Sequence, residues 1–436
     1  MSKRPISAAM YERAKLVMPG GNTRITVFMK PHPYYASHGK GCRLIDADGA
    51  EFLDFTNNYN SLIHGHAHPA IVSAVKEQLE RGTAYPMATE KEIFLAELLC
   101  ERVPSFEQIR FCNSGSEAVM FAVKAARAHS GRYKIAKCEG SYHGSYDQLE
   151  VSLDPTPETW GNSDPKSVPY VKGTPKSVLD DVVVIPYNKP DEAETILRKH
   201  AHELACIVVD LMPNRGGLIP ATPEFIGMLK RIRKDTGVLL VFDEVITLRL
   251  SLGGAQELFG IRPDLTATGK IIGGGFPVGA VAGTADVMAV FDPRDGKPAV
   301  SHSGTFNANP ITMVAGVAAL QLLTKEEIDR IGTLGDRARS GITDVMEEIG
   351  LPGQVTGLGS LFRIHVHNRP LSDYRSMMTT ELEKQLLAAI VGNMRDGGIF
   401  VNERGVCSLS TPMGNTEIEK FLTCFKSAAE LALAEH

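Results

Sequence analysis

Hydrophobic and polar positions follow two different periods along most of this chain. Short apolar runs, such as residues 182–185 and 238–242, predict strands that are buried on both faces. Between such runs, stretches with an apolar residue every three or four positions predict helices, as at residues 223–235. Strands that alternate with helices in this way indicate a mostly parallel sheet covered by helices, and therefore an α/β fold.

The same patterns predict most elements of the first half of the chain. Residues 43–46 and 51–54, joined by Ala47-Asp48-Gly49, are typical of a hairpin. The polar section at residues 152–180, which carries the only tryptophan, Trp160, is expected to be a mobile surface loop. The other expected elements are strands at residues 108–112, 134–138 and 205–210, and helices at residues 8–18, 69–81, 90–103, 113–128 and 191–200.

The pattern changes after a helix that is predicted to end near residue 323. Helices are expected at residues 328–349, 379–394 and 415–434, with strands around residue 355 and at residues 361–366, 399–402 and 406–409. A chain of 436 residues is too long for one ordinary hydrophobic core. We therefore expect an N-terminal segment at residues 1–55, a large domain at residues 56–325 and a small α+β domain at residues 326–436.

Composition and charge exclude several classes of partner. The chain is 43% hydrophobic and 22% charged with a net charge of −5, and it has no basic cluster of the kind that binds nucleic acid. Its apolar runs are shorter than the ~20 residues needed to span a bilayer, and residues 1–15 lack the apolar core of a signal peptide. These features favour a small-molecule ligand, no membrane partner and a cytoplasmic location.

Cysteine and histidine spacing gives no reason to expect a metal. The seven cysteines are scattered and odd in number, as expected for reduced residues of the core. His64, His66 and His68 alternate in a loop, where the sequence offers neither a fixed geometry nor an acid to orient the imidazole rings.

The candidate chemistry lies in residues 237–279. The predicted strand 238–242 ends in Asp243 and Glu244, and Lys270 stands between the run 265–268 and three consecutive glycines. A desolvated lysine loses its proton readily and can condense with an aldehyde such as pyridoxal phosphate, whose ring nitrogen needs a carboxylate partner. Asp243 is the candidate carboxylate, although either residue alone could be structural. A P-loop is excluded because Ile271, not Ser or Thr, follows Lys270, and the glycine spacing does not fit a dinucleotide-binding turn.

Residues Ser114, Gly115 and Ser116 follow the predicted strand 108–112 and open a helix. Small residues at such a turn present backbone N–H groups at the positive end of the helix, which favours phosphate binding. The same residues also fit an ordinary helix N-cap in which Ser114 and Glu117 form a capping box, and the two interpretations are compatible.

Taken together, Asp243-Glu244-Val245, Gly269-Lys270 and the Gly-Gly-Gly-x-Pro-x-Gly stretch at 273–279 resemble the class III (omega) family of pyridoxal-phosphate aminotransferases. Within it, the chain most resembles the branch with glutamate-1-semialdehyde aminomutases and aromatic beta-amino-acid aminotransferases, from residue 18 to about residue 413. The resemblance implies a fold type I PLP-dependent transferase, with a mostly parallel seven-stranded sheet in the large domain.

The resemblance also implies a role for particular residues. The cofactor would be held by a set from several loops: Ser114, Gly115, Ser116, Tyr142, His143, Asp243, Val245, Lys270 and Thr305. In this set Lys270 and Asp243 are catalytic, Tyr142 lies flat on the pyridine ring, and Thr305 reaches the phosphate of a neighbouring subunit, which implies a homodimer. The substrate would contact Arg24, Tyr59 and Arg404.

The expected activity is transfer of an amino group from a beta-amino acid or related amine to 2-oxoglutarate or pyruvate. Arg24 would hold the carboxylate of the beta-amino acid, and Arg404 that of the 2-oxo acid. A glutamate-1-semialdehyde aminomutase, a general omega-amine transaminase and a catalytically silent fold are the alternatives. Relatives usually have Val-Glu-Pro where this chain has Val209-Asp210-Leu211, and small residues where it has Asn214-Arg215, which suggests an additional cation near the cofactor.

Overall fold

The computed structural model describes residues 4–435, which form three sheets flanked by helices. The strands are β1 Ala36–Lys40, β2 Arg43–Asp46, β3 Glu51–Asp54, β4 Gln108–Cys112, β5 Lys134–Cys138, β6 Val182–Ile185, β7 Leu204–Val209, β8 Leu239–Asp243, β9 Leu265–Gly269, β10 Gly279–Gly283, β11 Gln354–Thr356, β12 Leu361–His365, β13 Ile399–Phe400 and β14 Val406–Ser408. The helices longer than ten residues are α1 Pro5–Lys15, α2 Pro69–Leu79, α3 Glu90–Arg102, α4 Gly115–Ser130, α5 Pro190–His200, α6 Pro223–Thr236, α7 Pro310–Leu322, α8 Lys325–Ile349, α9 Glu381–Asp396 and α10 Asn415–Glu435.

The central sheet has seven strands in the order β4-β10-β9-β8-β7-β5-β6. It is mostly parallel, as expected, and β10 alone runs antiparallel to both of its neighbours. The sequence did not reveal β10 because Gly279–Gly283 consists of glycine, alanine and a single valine, residue types with weak strand preference apart from the valine. Its position is fixed by pairing on both sides, which a local pattern cannot predict.

Most predicted boundaries agree with the structure within a few residues, and β4, β5 and β6 agree at both ends. The first helix is an exception, because it spans Pro5–Lys15 instead of 8–18, with proline at its first position where the missing N–H is not needed. Likewise, α8 begins three residues before the predicted start because the Thr324 side chain accepts a hydrogen bond from the Glu327 N–H and caps it.

Residues at the two ends of the chain share one core. β13 pairs with β3 in parallel, which joins a C-terminal strand to the N-terminal hairpin. Phe55 packs in the same apolar cluster as Phe362 of β12 and Phe421 of α10. The boundaries at residues 55 and 325 stay predictions, and this packing explains why the first segment associates with the last hundred residues.

The section at residues 152–180 has irregular backbone, as expected, with one short helix at Lys176–Asp180. The section is bonded to itself, because the Ser152 hydroxyl donates to the Lys166 carbonyl at 2.7 Å and accepts from the Val168 N–H at 2.9 Å. Trp160 packs edge-on against Tyr374, with ring centroids 6.4 Å apart, and so joins the section to the rest of the protein. The mobility of the section stays a prediction.

The carboxyl ends of β4, β5, β7, β8 and β9 lie at one edge of the central sheet. In open α/β sheets this edge is where ligands bind, because loops from several strands converge there. Each motif identified within the central part of the sequence directly follows one of these strands. Within residues 4–435, no helix is long and apolar enough to cross a membrane.

Candidate active site

Asp243 is the last residue of β8 and is held by two contacts. The His143 ring Nδ1 donates to Asp243 Oδ2 at 2.8 Å, and the Val245 N–H donates to Asp243 Oδ1 at 3.1 Å. Both side chains are buried. Burial lowers the pKa of His143 while Asp243 opposes that change, so a neutral imidazole with its proton on Nδ1 suits the site. His143 thereby fixes the orientation of the carboxylate.

Glu244, the neighbouring acid, has a structural role. Its carboxylate accepts the N–H groups of Ala255 at 2.7 Å and Gln256 at 2.8 Å, which begin the short helix Ala255–Leu258. Burial raises the pKa of Glu244 to about 7. Asp243 is therefore the acid available to the site.

Lys270 follows β9 directly and has a φ of +50°, a backbone region that residues with a Cβ rarely occupy. Such strain is commonly found at functional positions, where the surrounding structure enforces it. Burial lowers the pKa of Lys270 to about 8, with Asp243 raising it and Arg24 lowering it further. These two influences place Lys270 within electrostatic reach of both a carboxylate and a guanidinium.

The turn after β4 has the geometry of an anion cup. The Ser114 hydroxyl accepts the Glu117 N–H at 3.2 Å, which confirms Ser114 as the N-cap; Glu117 Oε2 accepts the N–H of Asn113 at 2.7 Å instead of that of Ser114, so the reciprocal bond of a capping box is not formed. A Cβ on Gly115 would meet the Val245 side chain at 2.9 Å, and one on Gly144 would meet Ser116 Oγ at 2.5 Å. The two glycines therefore allow the cup, the Asp243 loop and the Tyr142 loop to approach closely.

Tyr142 and Thr305 lie on the open side of these loops. Tyr142 is 47% exposed although its neighbour His143 is buried. Thr305 is also exposed, and the nearby Asn307 accepts a 2.7 Å hydrogen bond from the Asn113 side chain beside the cup. The structure thus brings the segment around Thr305 to the cup, and its contribution to a second subunit stays a prediction.

Arg24 and Tyr59 come together at the mouth of the site. The Arg24 guanidinium lies 5.1 Å from the centre of the Tyr59 ring and donates to Asn58 Oδ1 at 2.9 Å. Tyr59 belongs to Asn57–Asn60, four consecutive residues with positive φ, and its hydroxyl donates to the Thr26 carbonyl. Three asparagines make this left-handed turn feasible, because asparagine tolerates positive φ better than most residues.

Arg404 lies on a different wall, in the loop between β13 and β14. Partial desolvation and the neighbouring Arg215 lower the pKa of Arg404, while Asp154 raises it. Arg215 itself approaches Asp154 at 3.4 Å, and burial together with Arg404 and Arg215 lowers the pKa of Arg363 to about 10. The additional cation expected from Asn214-Arg215 is therefore close to Arg404.

Asp210, the other departure from the family pattern, is a buried acid at the end of β7. Its Oδ1 accepts the Met212 N–H at 2.9 Å. Burial and the nearby Asp243 raise the pKa of Asp210 well above its ordinary value.

Sequence reasoning missed several residues around the site. Lys137 is fully buried within β5 and donates to the Val151 carbonyl at 2.7 Å, and burial lowers its pKa to about 7. A lysine inside an apolar strand pattern was the available signal. Arg375 and Arg363 had no local signal, because their partners Glu139 and Asn214 are more than a hundred residues away.

The three histidines 64, 66 and 68 do not form a metal site, and no cluster of metal ligands occurs within residues 4–435. His66 Nε2 lies 2.8 Å from Asp54 Oδ2, an acid that the local sequence did not reveal. His64 contacts the Thr411 hydroxyl at 3.0 Å and the Ala319 carbonyl at 2.8 Å. These histidines connect separate segments of the fold.

The residues at this edge fit pyridoxal phosphate. They combine a backbone cup for the phosphate, a buried carboxylate for the ring nitrogen, an exposed aromatic and a lysine of lowered pKa. His143 Nε2 and Thr268 Oγ1 are buried without a hydrogen-bond partner in the described part of the chain, as expected for polar groups that line a ligand site.

The chain is similar to known proteins over most of its length. A family model described as aminotransferase class-III matches residues 27–428. A glutamate-1-semialdehyde 2,1-aminomutase from Methanothermobacter thermautotrophicus is 38% identical over 419 residues, which cover 95% of this chain and 97% of that protein.

Two solved structures are similar over nearly their whole length. An omega-transaminase from Sphaerobacter thermophilus has 52% identity and a TM-score of 0.96, with 98% of each chain covered. A beta-phenylalanine aminotransferase from Variovorax paradoxus has 35% identity and a TM-score of 0.89, covering 99% of this chain and 95% of that one. The chain therefore belongs to the class III aminotransferases and is a PLP-dependent transaminase of fold type I.

Proposed function

We propose that this enzyme transfers an amino group from a beta-amino acid, or a related omega-amine, to a 2-oxo acid. The observation that carries the proposal is Arg24, whose guanidinium bonds to the neutral Asn58 side chain and packs on Tyr59 within electrostatic reach of Lys270. A cation on a neutral partner retains donors for a substrate carboxylate. Similarity to the beta-phenylalanine aminotransferase supports the same substrate class.

Pyridoxal phosphate supplies an aldehyde that accepts the substrate amine and a ring that withdraws electrons from the substrate carbon. In the proposed reaction, Lys270 Nζ moves a proton between that carbon and the cofactor. An amine with a pKa of about 8 is suited to this task. Asp243, oriented by the His143 Nδ1–H, keeps the ring nitrogen protonated. With the cofactor bound, Tyr142 would cover the face of its ring, and the amides of residues 114–116 would hold its phosphate.

The two arginines serve opposite half-reactions in this proposal. Arg24 takes the carboxylate of the amine donor, and Arg404 takes the 2-carboxylate of the acceptor from a different wall. Because both substrates use the same cofactor position in turn, separate arginines allow each carboxylate to be bound at its own distance from the reacting carbon.

We further propose that the working form is a homodimer to which Thr305 contributes across the interface. Support comes from large apolar side chains exposed on the single chain: Tyr85, Met87, Ile93, Phe94 and Phe306. Burial of such side chains against another copy of the chain is favourable. Light scattering at micromolar concentration should give twice the chain mass, and a monomeric, fully active enzyme would contradict the dimer.

Single-turnover spectra test the assignment of the two arginines. Arg24→Ala should slow conversion of the cofactor by a 3-amino acid by about 10- to 150-fold, the loss of one charged hydrogen bond of about 1.5–3 kcal/mol. Arg404→Ala should instead slow the return reaction with 2-oxoglutarate or pyruvate. Arg81→Ala, which removes an exposed arginine paired with Glu77, is the control. Equal damage to both halves by both variants would indicate one shared carboxylate site.

An aminomutase acting on a gamma-amino aldehyde is the second candidate, because of the 38% identity with such an enzyme. Glutamate-1-semialdehyde also carries a carboxylate that an arginine can bind, so the two functions are distinguished by the reaction and not by Arg404. An aminomutase isomerises its substrate without any 2-oxo acid. Isomerisation of glutamate-1-semialdehyde at a rate above that of transamination would therefore favour this alternative.

A further inference from the structure

Three arginines from separate segments meet beside the proposed acceptor position. Arg363 on β12 pairs across the small sheet with Val406 of β14, and Arg404 precedes Val406 by two residues. The Arg363 Nη1 also donates to the carbonyl of Asn214 at 3.4 Å, which places Arg215 next to it. We call Arg215, Arg363 and Arg404 the guanidinium triad.

The triad carries more positive charge than its described surroundings neutralise. Arg363 donates to the Asn214 carbonyl and approaches the Met377 sulfur at 3.6 Å, both uncharged, and its Nε is buried without a partner in the described chain. Asp154 is the acid that approaches the triad, at 3.4 Å from Arg215. Burial is the largest cause of the lowered pKa of both Arg363 and Arg404. Arg404 and Arg215 lower the pKa of Arg363 further, and Arg215 lowers that of Arg404, which agrees with this excess of charge.

Asp154 is a weak partner for Arg215. The 3.4 Å separation is longer than a good charged hydrogen bond, and the Asp154 side chain is 58% exposed. Asp154 has a second contact, because the Tyr374 hydroxyl donates to its Oδ1 at 3.1 Å. An incoming carboxylate can therefore replace Asp154 at Arg215 while Asp154 stays bonded to Tyr374 or turns to solvent.

We propose that Arg215 binds the distal carboxylate of a dicarboxylic 2-oxo acid whose 2-carboxylate is bound by Arg404. Two adjacent guanidinium forks match a dianion, since each can hold one carboxylate through two parallel hydrogen bonds. Arg363 contacts the turn of Arg215 at the Asn214 carbonyl and adds positive potential near both forks. This inference rests on the proposed aminotransferase function and specifies its acceptor as a dicarboxylate.

Binding of unreactive acids to the purified holoenzyme tests the proposal without requiring amino transfer. Glutarate carries two carboxylates and butyrate one, on chains of similar length. Isothermal titration should show that Arg215→Ala weakens glutarate by about 10- to 100-fold and butyrate by less than about threefold. Arg215→Lys should give an intermediate loss, because lysine keeps the charge without the fork. Arg231→Ala, an exposed arginine paired with Glu194, is the control.

Asp154→Asn provides a test in the opposite direction. The substitution removes the carboxylate charge that competes for Arg215 but keeps an oxygen that can accept from Tyr374. It should strengthen the binding of glutarate and leave the affinity for butyrate unchanged. In the second half-reaction, Arg215→Ala should lower the preference for 2-oxoglutarate over pyruvate by the same factor as it lowers glutarate affinity.

Two results would overturn the inference. The first is that Arg215→Ala keeps the wild-type preference for glutarate over butyrate. The second is that Arg24→Ala, and not Arg215→Ala, loses this preference. Failure of the proposed function is a separate outcome. An enzyme that binds glutarate through Arg215 but transfers no amine from beta-amino acids would retain the triad as a dicarboxylate site and contradict only the donor.

Discussion

Arg375 connects three parts of the protein, and its removal should loosen the loop that carries Tyr142. Its Nε and Nη2 donate to the two oxygens of Glu139 at 2.6 and 2.9 Å, immediately after β5. The same guanidinium donates to the carbonyls of Trp160 at 3.0 Å, Gly161 at 3.3 Å and Asn162 at 2.5 Å. One side chain therefore joins the β5 loop, the irregular section 152–180 and the segment around residue 375.

The free-energy cost of removing Arg375 follows from the burial of its ion pair with Glu139. The Glu139 side chain is 3% exposed and Arg375 is 21% exposed, so Arg375→Ala leaves a buried carboxylate without its cation. Breaking a buried pair in this way costs about 3–5 kcal/mol, and the partial exposure of Arg375 favours the lower value. About 3 kcal/mol corresponds to roughly a 150-fold increase in local opening of the loop.

Hydrogen exchange measured by mass spectrometry on peptides covering residues 139–143 and 160–162 checks this magnitude. Arg43→Ala is the matched control, because Arg43 and Glu51 form a pair whose side chains are 40% and 53% exposed. Arg43→Ala should change the free energy of local opening by less than about 1 kcal/mol. Glu139→Gln combined with Arg375→Met should be less damaging than Arg375→Ala, since no unpaired charge remains. Exchange in Arg375→Ala within about threefold of wild type would refute the reasoning.

Three further outcomes concern the cofactor site. Lys270→Ala should abolish turnover but retain much cofactor binding, because the cup at residues 114–116 and Asp243 remain; equilibrium dialysis and steady-state assay together decide it. Asp243→Asn should reduce turnover by orders of magnitude, since an amide cannot keep the ring nitrogen protonated, and a rate within about fivefold of wild type would contradict that role. Attachment of pyridoxal phosphate to the apoenzyme should accelerate as pH rises through about 8, the pKa of Lys270, because the neutral amine reacts; a midpoint near the ordinary 10.5 would contradict a buried, perturbed lysine.

The sequence predicted the central sheet well where the pattern was strong and local. Runs of β-branched residues such as Val182–Ile185 can be recognised without knowing their neighbours. Gly279–Gly283 could not be recognised, because it is a strand only through pairing with β4 and β9. The anchoring of residues 152–180 was missed for the same reason, since polar composition indicates a loop but says nothing about the partners of that loop.

The residues of the candidate site divide in the same way, into those that a local pattern locates and those that depend on distant contacts. Asp243, Lys270 and residues 114–116 each lie at or just after the end of a strand, so a strand pattern and a short motif together locate them. The roles of Arg24, Arg215, Arg363 and Arg375 depend on which distant segments meet in the fold, and an arginine is usually a solvated surface side chain. What separates these four from the surface arginines is their partners, namely an asparagine amide, a weakly bound aspartate, a backbone carbonyl and a buried glutamate. Only Arg375 among them has a buried acid to neutralise it, which is why we assign Arg375 to positioning. Arg24 and Arg215 keep donors for the carboxylates of the donor and the acceptor in our proposals, and Arg363 supports Arg215.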